Sequence, residues 1–237
     1  MSKAARERIR AERARRARGD RRRRIAIITG VSALVVAVVV AGVLVQSWRG
    51  RSSAYSGPLA QVTVAADGTV TMARAGNLPV LDVYEDFQCP VCREFESVNG
   101  GTLKRFAAEG KVKVVYHPVA FVNPQGSLRA AAAAQCLPAP RWMAFHDTVY
   151  SRQPPESVAL TLADLKGFAA EAEVTDAATL SCMESQRHAS LVTRVTDAAF
   201  KQPDVQGTPT LVLGGRRLTT NEMLTADGLA GVLAAAR

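Results

Sequence analysis

One apolar segment divides this sequence into two unlike parts. Residues 25–46 contain no charged side chain over 22 positions. As an α-helix, a segment of this length rises roughly 33 Å, which is enough to cross a hydrocarbon core of about 30 Å. We therefore expect a single transmembrane helix, with the main domain of the protein on one side of the membrane.

The distribution of charge orients this segment. Residues 1–24 hold twelve Lys or Arg against three acidic residues, which accounts for the whole formal charge of +9. Because the positive excess lies on the cytoplasmic side of membrane proteins, we expect residues 1–24 to be a basic cytoplasmic tail. Residues 25–46 are then a transmembrane helix at the cell membrane, residues 47–58 a polar linker, and residues 59–237 an extracytoplasmic domain. A cleaved signal peptide ending near Ala54 is the alternative, although its apolar stretch usually has only about 7–15 residues.

The charge of the tail does not predict nucleic-acid binding. After residue 24 the chain holds 18 basic and 18 acidic side chains. A neutral domain has no excess of positive charge with which to hold a phosphate backbone. The basic tail is instead expected to be attracted to anionic lipid at the membrane surface.

The main domain begins with a β-α-β pattern. Alternating apolar residues around Asp67-Gly68 predict a hairpin. A strand at 80–87 leads directly to Cys89, where apolar residues at helical spacing begin. Asn99-Gly100-Gly101 is expected to break or kink that helix before the next strand at 111–116.

A long helical stretch interrupts the strands. Helical spacing of apolar residues continues from about 125 to 202, with a capping box at Thr161-x-x-Asp164 and a last helix at 176–200. Strand patterns return at 209–218, and a final helix is expected at 225–235. The sequence thus predicts an α/β fold with an inserted α-helical domain.

Two of the four cysteines form the motif Cys89-Pro90-Val91-Cys92 at the strand-to-helix junction. A dithiol enzyme needs one thiolate that attacks a substrate disulfide and a second thiol that resolves the mixed disulfide. The first position of the motif lies at the positive end of the helix dipole, and proline is well tolerated at the first helical position. We therefore expect Cys89 to be the nucleophile and Cys92 the resolving thiol, whereas the Pro90-Val91 dipeptide leaves the redox potential open.

The same cysteines do not predict a metal site. A structural zinc site of this kind requires a second closely spaced pair of ligands. The other two cysteines are 46 positions apart, and the three histidines are scattered along the chain. We expect no metal and no cofactor beyond a redox-active disulfide between Cys89 and Cys92.

Cys136 and Cys182 lie on two predicted helices of the insert. Because exported thiols are oxidised, a structural disulfide between these two residues is the favoured interpretation. For a loop of this length the chain-entropy estimate is about 4 kcal/mol of stabilisation. A second redox pair and two buried free cysteines are the alternatives.

Three motifs together carry a family resemblance. They are Asp86-Phe87-Gln88-Cys89-Pro90-Val91-Cys92, Trp142-x-x-Phe145-His146-Asp147 and Gly207-Thr208-Pro209-Thr210. In this order they resemble the DsbA-like thioredoxin-fold oxidoreductases of bacterial envelopes, over roughly residues 75–237. The resemblance implies a thioredoxin-like fold in which Pro209 is cis and lies against the active-site disulfide. It also implies that Thr208 offers backbone groups to the substrate peptide.

The sequence departs from that family at one position. Many relatives keep a buried acid six residues before the first active-site cysteine, and here that position is Val83. Asp82 faces the opposite side of the strand and cannot replace it. Glu85 and Asp86 are expected to be solvated loop charges, and His146 to belong to a packed helix, so no acid–base residue is predicted.

Together these features predict an extracytoplasmic thiol oxidase that introduces disulfides into exported unfolded or reduced proteins. The resemblance implies reoxidation by a membrane partner of the quinone-linked type. A reductase or isomerase of the same fold is the alternative within this chemistry. A different alternative is a non-catalytic anchored module, in which the chain beside Thr208 holds an extended peptide by strand addition.

Overall fold

The computed structural model describes residues 55–236. The strands within that range are β1 (Gln61–Val64), β2 (Val70–Ala73), β3 (Val80–Glu85), β4 (Lys113–Pro118), β5 (Thr210–Leu213) and β6 (Arg216–Arg217). They form one sheet in the order β1-β2-β4-β3-β5-β6. Strands β3 and β4 are parallel, and the other neighbouring pairs are antiparallel.

The helices surround this mixed sheet. They are α1 (Pro90–Ala108), α2 (Pro124–Ala134), α3 (Ala139–Ser151), α4 (Leu162–Glu171), α5 (Ala177–Glu184), α6 (Ala189–Ala199), α7 (Thr220–Leu224) and α8 (Ala226–Ala235). Helix α1 is the crossover between the two parallel strands. Helices α2 to α6 lie between β4 and β5 and form the helical insert, so the α/β architecture expected from the sequence is confirmed.

The core lies on both faces of the central strands. Val83 of β3, Val114 of β4 and Leu211 of β5 have no exposed surface, and Phe95 of α1 is equally buried. Residues 130–134 are five consecutive alanines that are also completely buried. Side chains this small allow helix α2 to pack closely against its neighbours on several sides. The active-site end of β3 is therefore held in a rigid interior.

Helix α1 is unbroken, so the break predicted at Asn99-Gly100-Gly101 was wrong. The Asn99 side-chain amide donates to the Met223 carbonyl at 2.7 Å, so it joins helices rather than ending one. A Cβ atom at Gly100 would lie 2.5 Å from Oε2 of Glu96. The glycine therefore makes room for a carboxylate one turn earlier in the same helix.

Two other boundaries differ from those predicted. The helix expected at 176–200 is two helices, α5 and α6, because the chain turns between them and Gln186 takes a left-handed φ of 47°. Strand β4 begins at Lys113 rather than at Lys111, whose backbone N–H donates to the Phe106 carbonyl at 2.9 Å and so closes the end of α1. The capping box of Thr161 at the start of α4 is present as predicted.

The predicted basic tail, the predicted transmembrane helix and most of the predicted linker lie outside the described residues. Across residues 55–236, none of the helices has both the length and the apolar character required to cross a membrane.

Candidate active site

The Cys89-Pro90-Val91-Cys92 motif stands where strand β3 ends and helix α1 begins. Cys89 is the N-cap residue, and Pro90 is the first residue of the helix. The Cys92 backbone N–H donates to Sγ of Cys89 at 3.4 Å. Among the described cysteines these two carry free thiols. The helix start thus directs an otherwise unsatisfied N–H group at the first sulfur, as the sequence predicted.

The two thiols differ strongly in acidity. The hydrogen bond from the Cys92 side chain lowers the pKa of Cys89 to about 6, with further support from Thr208 and against the opposing effect of burial. Cys92 has no exposed surface, and burial raises the pKa of its thiol well above the usual range. At neutral pH the site therefore holds a thiolate at Cys89 and a thiol at Cys92.

Thr208 and Pro209 lie beside the first cysteine. Sγ of Cys89 lies 3.3 Å from the Thr208 carbonyl oxygen, across 119 positions of sequence, and donates to it only in the protonated form. The peptide bond between Thr208 and Pro209 is cis. Pro209 itself is buried, directly before strand β5. The structure thus brings together the four site residues Cys89, Cys92, Thr208 and Pro209, which the sequence places in two distant motifs.

Asp86 fixes the turn that leads into the motif. It is completely buried, so the expectation of a solvated loop charge was wrong. Its carboxylate accepts hydrogen bonds from the backbone N–H groups of Gln88 at 2.7 Å, Phe121 at 2.7 Å and Val122 at 2.8 Å. These donors replace water around the charge. Asp86 therefore ties the active-site turn to the loop that follows β4.

Two buried glutamines tie the same turn to the helical insert. The Gln88 amide donates to the Val158 carbonyl at 2.9 Å, and its oxygen accepts from the Leu160 N–H at 2.8 Å. The Gln153 amide donates to the Cys89 carbonyl at 3.1 Å. The insert thus positions the reactive turn. Sequence reasoning missed both residues because the backbone groups that they bind lie about 60 to 70 positions away along the chain.

Exposed apolar side chains border the site. Of the four large hydrophobic residues that are exposed in the described range, three belong to segments that carry or contact the active-site turn: Val91, Phe121 and Val158. Val91 is part of the motif itself. The Phe121 backbone N–H donates a hydrogen bond to Asp86, and the Val158 carbonyl accepts one from Gln88. We call these three side chains the apolar rim. They form exposed apolar surface on the segments that hold the active-site turn.

A buried acid lies on the inner side of the site, but not at the position used by the family. Val83 is an apolar core residue. Glu85, two residues later, has no exposed surface, and its Oε1 is 2.7 Å from Nε2 of His146, which is also completely buried. The sequence prediction of a solvated Glu85 was therefore wrong, because an imidazole from α3 compensates the buried carboxylate. His146 does belong to a packed helix, as predicted.

Two groups of side chains bring three metal-ligand atoms within 4.8 Å of one another. In the first group, which includes His188, the sulfurs of Cys136 and Cys182 are bonded to each other and are not thiolates. In the second, Glu85 and His146 are joined by their own hydrogen bond, and burial raises the pKa of Glu96 to about 8. A neutral Glu96 is a poor ligand, and we assign a metal to neither group.

Cys136 and Cys182 are joined in a disulfide, with their Cα atoms 5.9 Å apart. This is the pairing favoured by the sequence. The bond connects Cys136, two residues after helix α2, to helix α5, so both ends lie in the insert.

Comparison with known proteins agrees with this geometry. A family model described as thioredoxin matches residues 74–233. No curated protein matches the sequence. Among solved structures, the reduced form of the disulfide bond oxidoreductase DsbG from Mycobacterium tuberculosis is 26% identical with a TM-score of 0.59, covering 79% of this chain and 91% of that one.

Two further structures extend the comparison. Oxidised DsbA from Mycobacterium tuberculosis is 26% identical with a TM-score of 0.53, over 75% of this chain and 100% of that chain. MdbA, a thiol-disulfide oxidoreductase from Actinomyces oris, is 20% identical with a TM-score of 0.63, over 73% of this chain and 90% of that chain, and shows the shared fold. The chain belongs to the thioredoxin family and is a DsbA-like thiol–disulfide oxidoreductase.

Proposed function

We propose that this oxidoreductase is an extracytoplasmic thiol oxidase. In this role the Cys89–Cys92 disulfide is passed to exported proteins that are unfolded or reduced. A substrate thiolate attacks Sγ of Cys89, and Cys92 leaves. A second substrate thiolate then displaces Cys89, so that the substrate is oxidised and the enzyme is left as a dithiol.

The observation that carries this proposal is the unequal acidity of the two thiols. The Cys92 hydrogen bond, together with Thr208, lowers the pKa of Cys89 to about 6. A thiolate stabilised in this way makes the reduced enzyme more stable relative to its disulfide form, and such a disulfide is a strong oxidant. Cys89 is also the better leaving group when the mixed disulfide is resolved by the substrate.

The surroundings of Cys89 suit an unfolded polypeptide as substrate. The apolar rim of Val91, Phe121 and Val158 is exposed next to the motif. Unfolded chains expose apolar side chains that folded proteins bury, so this surface favours them over compact proteins. Backbone groups at Thr208, whose carbonyl lies 3.3 Å from the Cys89 sulfur, are placed to bind the extended segment around a substrate cysteine.

The cellular setting follows from the sequence. Residues 25–46 are long enough to span a bilayer, and the basic residues before them favour a cytoplasmic N-terminus. The catalytic domain is then tethered to the outer side of the cell membrane. A membrane protein that transfers electrons to quinone is the corresponding recycling partner.

The deciding experiment is the reduction potential of the Cys89/Cys92 pair, measured by equilibration with glutathione. A value near −120 mV, about that of a strong periplasmic oxidant, supports the oxidase. A value near −270 mV, about that of thioredoxin, contradicts it and supports the reductase. An intermediate value near −180 mV, about that of protein disulfide isomerase, supports the isomerase instead.

A second measurement tests the role of each cysteine. The oxidised protein is expected to convert a reduced two-cysteine peptide into its disulfide, and Cys89→Ser is expected to abolish this conversion. When the same peptide is offered in its disulfide form, the Cys89 thiolate of Cys92→Ser is expected to attack it and to remain trapped in a mixed disulfide, because the resolving thiol is missing. A mixed disulfide that instead forms with Cys89→Ser, through Cys92, would reverse the assigned roles.

A further inference from the structure

A chain of three polar side chains runs from the buried interior to the surface. Glu85 at the end of β3 and His146 on α3 have no exposed side-chain surface, whereas the side chain of Asp147 is 45% exposed. Nε2 of His146 is 2.7 Å from Oε1 of Glu85, and Nδ1 is 3.2 Å from Oδ1 of Asp147. The imidazole therefore links a buried carboxylate to an exposed one.

The inner end of this chain lies near the resolving thiol: Glu85 has a carboxylate oxygen within 4.8 Å of one of Glu96, which follows Cys92 by one turn of helix α1. Burial is the main cause of the raised pKa of Cys92. The effects of Cys89 come next, and the charge of Glu85 raises this pKa further. Burial raises the pKa of the Tyr150 hydroxyl, and the charges of Glu85 and Cys92 raise it further. Oε2 of Glu85 and the Tyr150 hydroxyl are buried without a hydrogen-bond partner among the described residues. Unused hydrogen-bonding capacity thus remains in the neighbourhood of Cys92.

The outer end opens beside helix α1. Asp147 forms an ion pair with Lys104. Although burial opposes its ionisation, the hydrogen bond from His146 and the Lys104 ammonium lower the pKa of Asp147. Lys104 follows Cys92 by twelve residues in the same helix, which corresponds to roughly 18 Å along the axis. The outer end is therefore well separated from the motif.

His146 is protonated at neutral pH. Burial opposes its charge, but the carboxylates of Glu85 and Asp147 outweigh burial and raise the pKa to about 10. The titratable and charged groups around it come from β3, β4, α1 and α3: Glu85, Tyr116, Cys92, Glu96, Lys104, Asp147 and Tyr150. A protonated imidazole between two carboxylates holds a proton that can move in either direction.

Disulfide transfer requires a proton at the buried end. When a substrate thiolate attacks Sγ of Cys89, a new S–S bond forms there and the Cys89–Cys92 bond breaks. The electron pair of the broken bond goes to Sγ of Cys92. Because Cys92 has no exposed surface, a thiolate at this position is unfavourable and must gain a proton. In the reverse reaction the same proton has to leave.

We propose that Glu85, His146 and Asp147 form a proton relay that connects Cys92 to the surface beside Lys104. When Cys92 leaves, the proton passes from His146 through Glu85 to the sulfur, and His146 is reprotonated from solvent through Asp147. The inference rests on the roles proposed above for Cys89 and Cys92. It explains how a proton reaches Cys92 while a bound polypeptide covers the motif.

This last point provides the test. A polypeptide covers the motif and excludes solvent from it, whereas a small dithiol such as dithiothreitol leaves water free to reach the Cys89 side of the broken bond, from which Cys92 can also be protonated. The rate at which each reagent reduces the oxidised full-length protein is measured in detergent across the range from acidic to alkaline pH. The variants are His146→Gln, which keeps polar contacts but does not carry a proton, and Asp147→Asn at the exposed end.

The relay predicts a selective loss. Both variants are expected to react with a reduced polypeptide roughly a hundredfold more slowly than wild type near neutral pH, the lower end of the range for general acid–base catalysis. The rate of reduction by dithiothreitol is expected to differ from that of wild type by less than about twofold. His117→Gln is the matched control, because His117 pairs with Asp82 at 2.8 Å outside the relay. It is expected to react like wild type with both reagents.

Equal slowing with both reagents, or no slowing with either, would overturn the relay. Asp147→Asn guards against a folding defect, because the residue is exposed, and its unfolding midpoint in urea is measured in parallel. The comparison does not depend on the direction of the enzyme in the cell. If the reduction potential contradicts the oxidase, the same proton still enters and leaves at Cys92, and the relay stands or falls on the two rates.

Discussion

At the scale of single residues, the reactivity of this protein depends on which side chains surround two sulfurs. Cys89 occupies a helix N-cap, and this much follows from its position before Pro90 in the sequence. The burial of Cys92 and the contact with Thr208 do not follow from any local pattern, because the chain must first pair β5 with β3, the strand that leads into the motif. The acidity of Cys89 is thus partly local and partly a product of the fold.

The titration of Cys89 can be measured directly. The ultraviolet absorbance of the thiolate in the reduced protein is expected to rise with a midpoint near pH 6, since the pKa is lowered from 9.0 to about 6. Cys92→Ala is expected to move this midpoint upwards, because it removes the largest contribution, but to leave it below 9.0 because Thr208 and backbone N–H groups remain. A midpoint that does not move would contradict this assignment.

The lowered pKa of Cys89 also makes the stability of the reduced protein depend on pH in a known direction. The pKa of Cys89 is lower in the folded protein than in the unfolded chain. The stabilisation that its thiolate gives the folded protein is therefore complete above the ordinary thiol pKa and is lost as the pH falls through about 6. Between those limits the reduced protein is expected to become more stable relative to the oxidised protein as the pH rises. Urea unfolding of both forms across this range gives the comparison.

The close packing around Gly126 can also be tested at the scale of single residues. A Cβ atom there would lie 1.5 Å from Oε1 of Gln88 and 2.9 Å from the backbone nitrogen of Leu160. We expect Gly126→Ala to lower the free energy of unfolding by about 1–3 kcal/mol, as overpacking does. Gly167→Ala is the control, because its Cβ meets nothing within 4 Å in helix α4, and it is expected to stabilise by about 0.5–1 kcal/mol.

Urea unfolding of the two glycine variants decides the point. If Gly126→Ala is as stable as wild type, then the contact between Gln88 and the insert is less rigid than described. The redox rate of the same variant shows whether a displaced Gln88 disturbs the active-site turn.

At the scale of helices and strands, patterns of apolar residues predicted most of the architecture. The hairpin around Asp67, the junction at Cys89 and the capping box at Thr161 are all found. Local patterns failed where a side chain has a distant partner. Asn99 and Gly100 are typical of helix ends, yet here the first binds a carbonyl of another helix and the second accommodates a glutamate.

The disulfide of the insert has two interpretations, a structural bond and a second redox pair, which predict different results. Replacing both Cys136 and Cys182 with alanine is expected to lower the free energy of unfolding by about 4 kcal/mol, as the chain-entropy estimate gives for a loop of this length. The reduction potential of the Cys89/Cys92 pair is expected to stay the same, because the bond joins two helices of the insert. Urea unfolding and glutathione equilibration measure the two quantities.

A changed outcome would identify a different role for this bond. If the double variant unfolds like wild type but fails to oxidise a peptide, Cys136 and Cys182 are a second redox pair. The double serine variant is the matched control for the change in side-chain polarity.

At the scale of the whole molecule, the sequence predicts a compartment and carries the family resemblance, while the structure shows the buried charges. The sequence treated Glu85 and Asp86 as solvated, because carboxylates are rarely buried without compensation. Apart from the nearby N–H of Gln88, the compensating groups are an imidazole from α3 and two backbone N–H groups after β4, which lie far away in sequence. Buried charge of this kind becomes visible only once the chain is folded.

The proposed membrane anchor makes a prediction for the intact chain. Full-length protein is expected in the membrane fraction of cells and to resist extraction by alkaline carbonate, because residues 25–46 are apolar and uncharged. The fragment that begins at residue 55 is expected in the soluble fraction. Recovery of the uncleaved full-length protein as a soluble species would contradict the anchor.

The carboxylate of Asp86 has a further consequence, for backbone dynamics. Loops at a protein surface usually exchange their amide hydrogens with solvent within seconds to minutes, but the N–H groups of Phe121 and Val122 are held by a buried charge. They are therefore expected to exchange as slowly as amides in the central strands, and Asp86→Asn to accelerate them. Hydrogen exchange would then show that the loop beside the reactive sulfur opens only when a large part of the molecule unfolds with it.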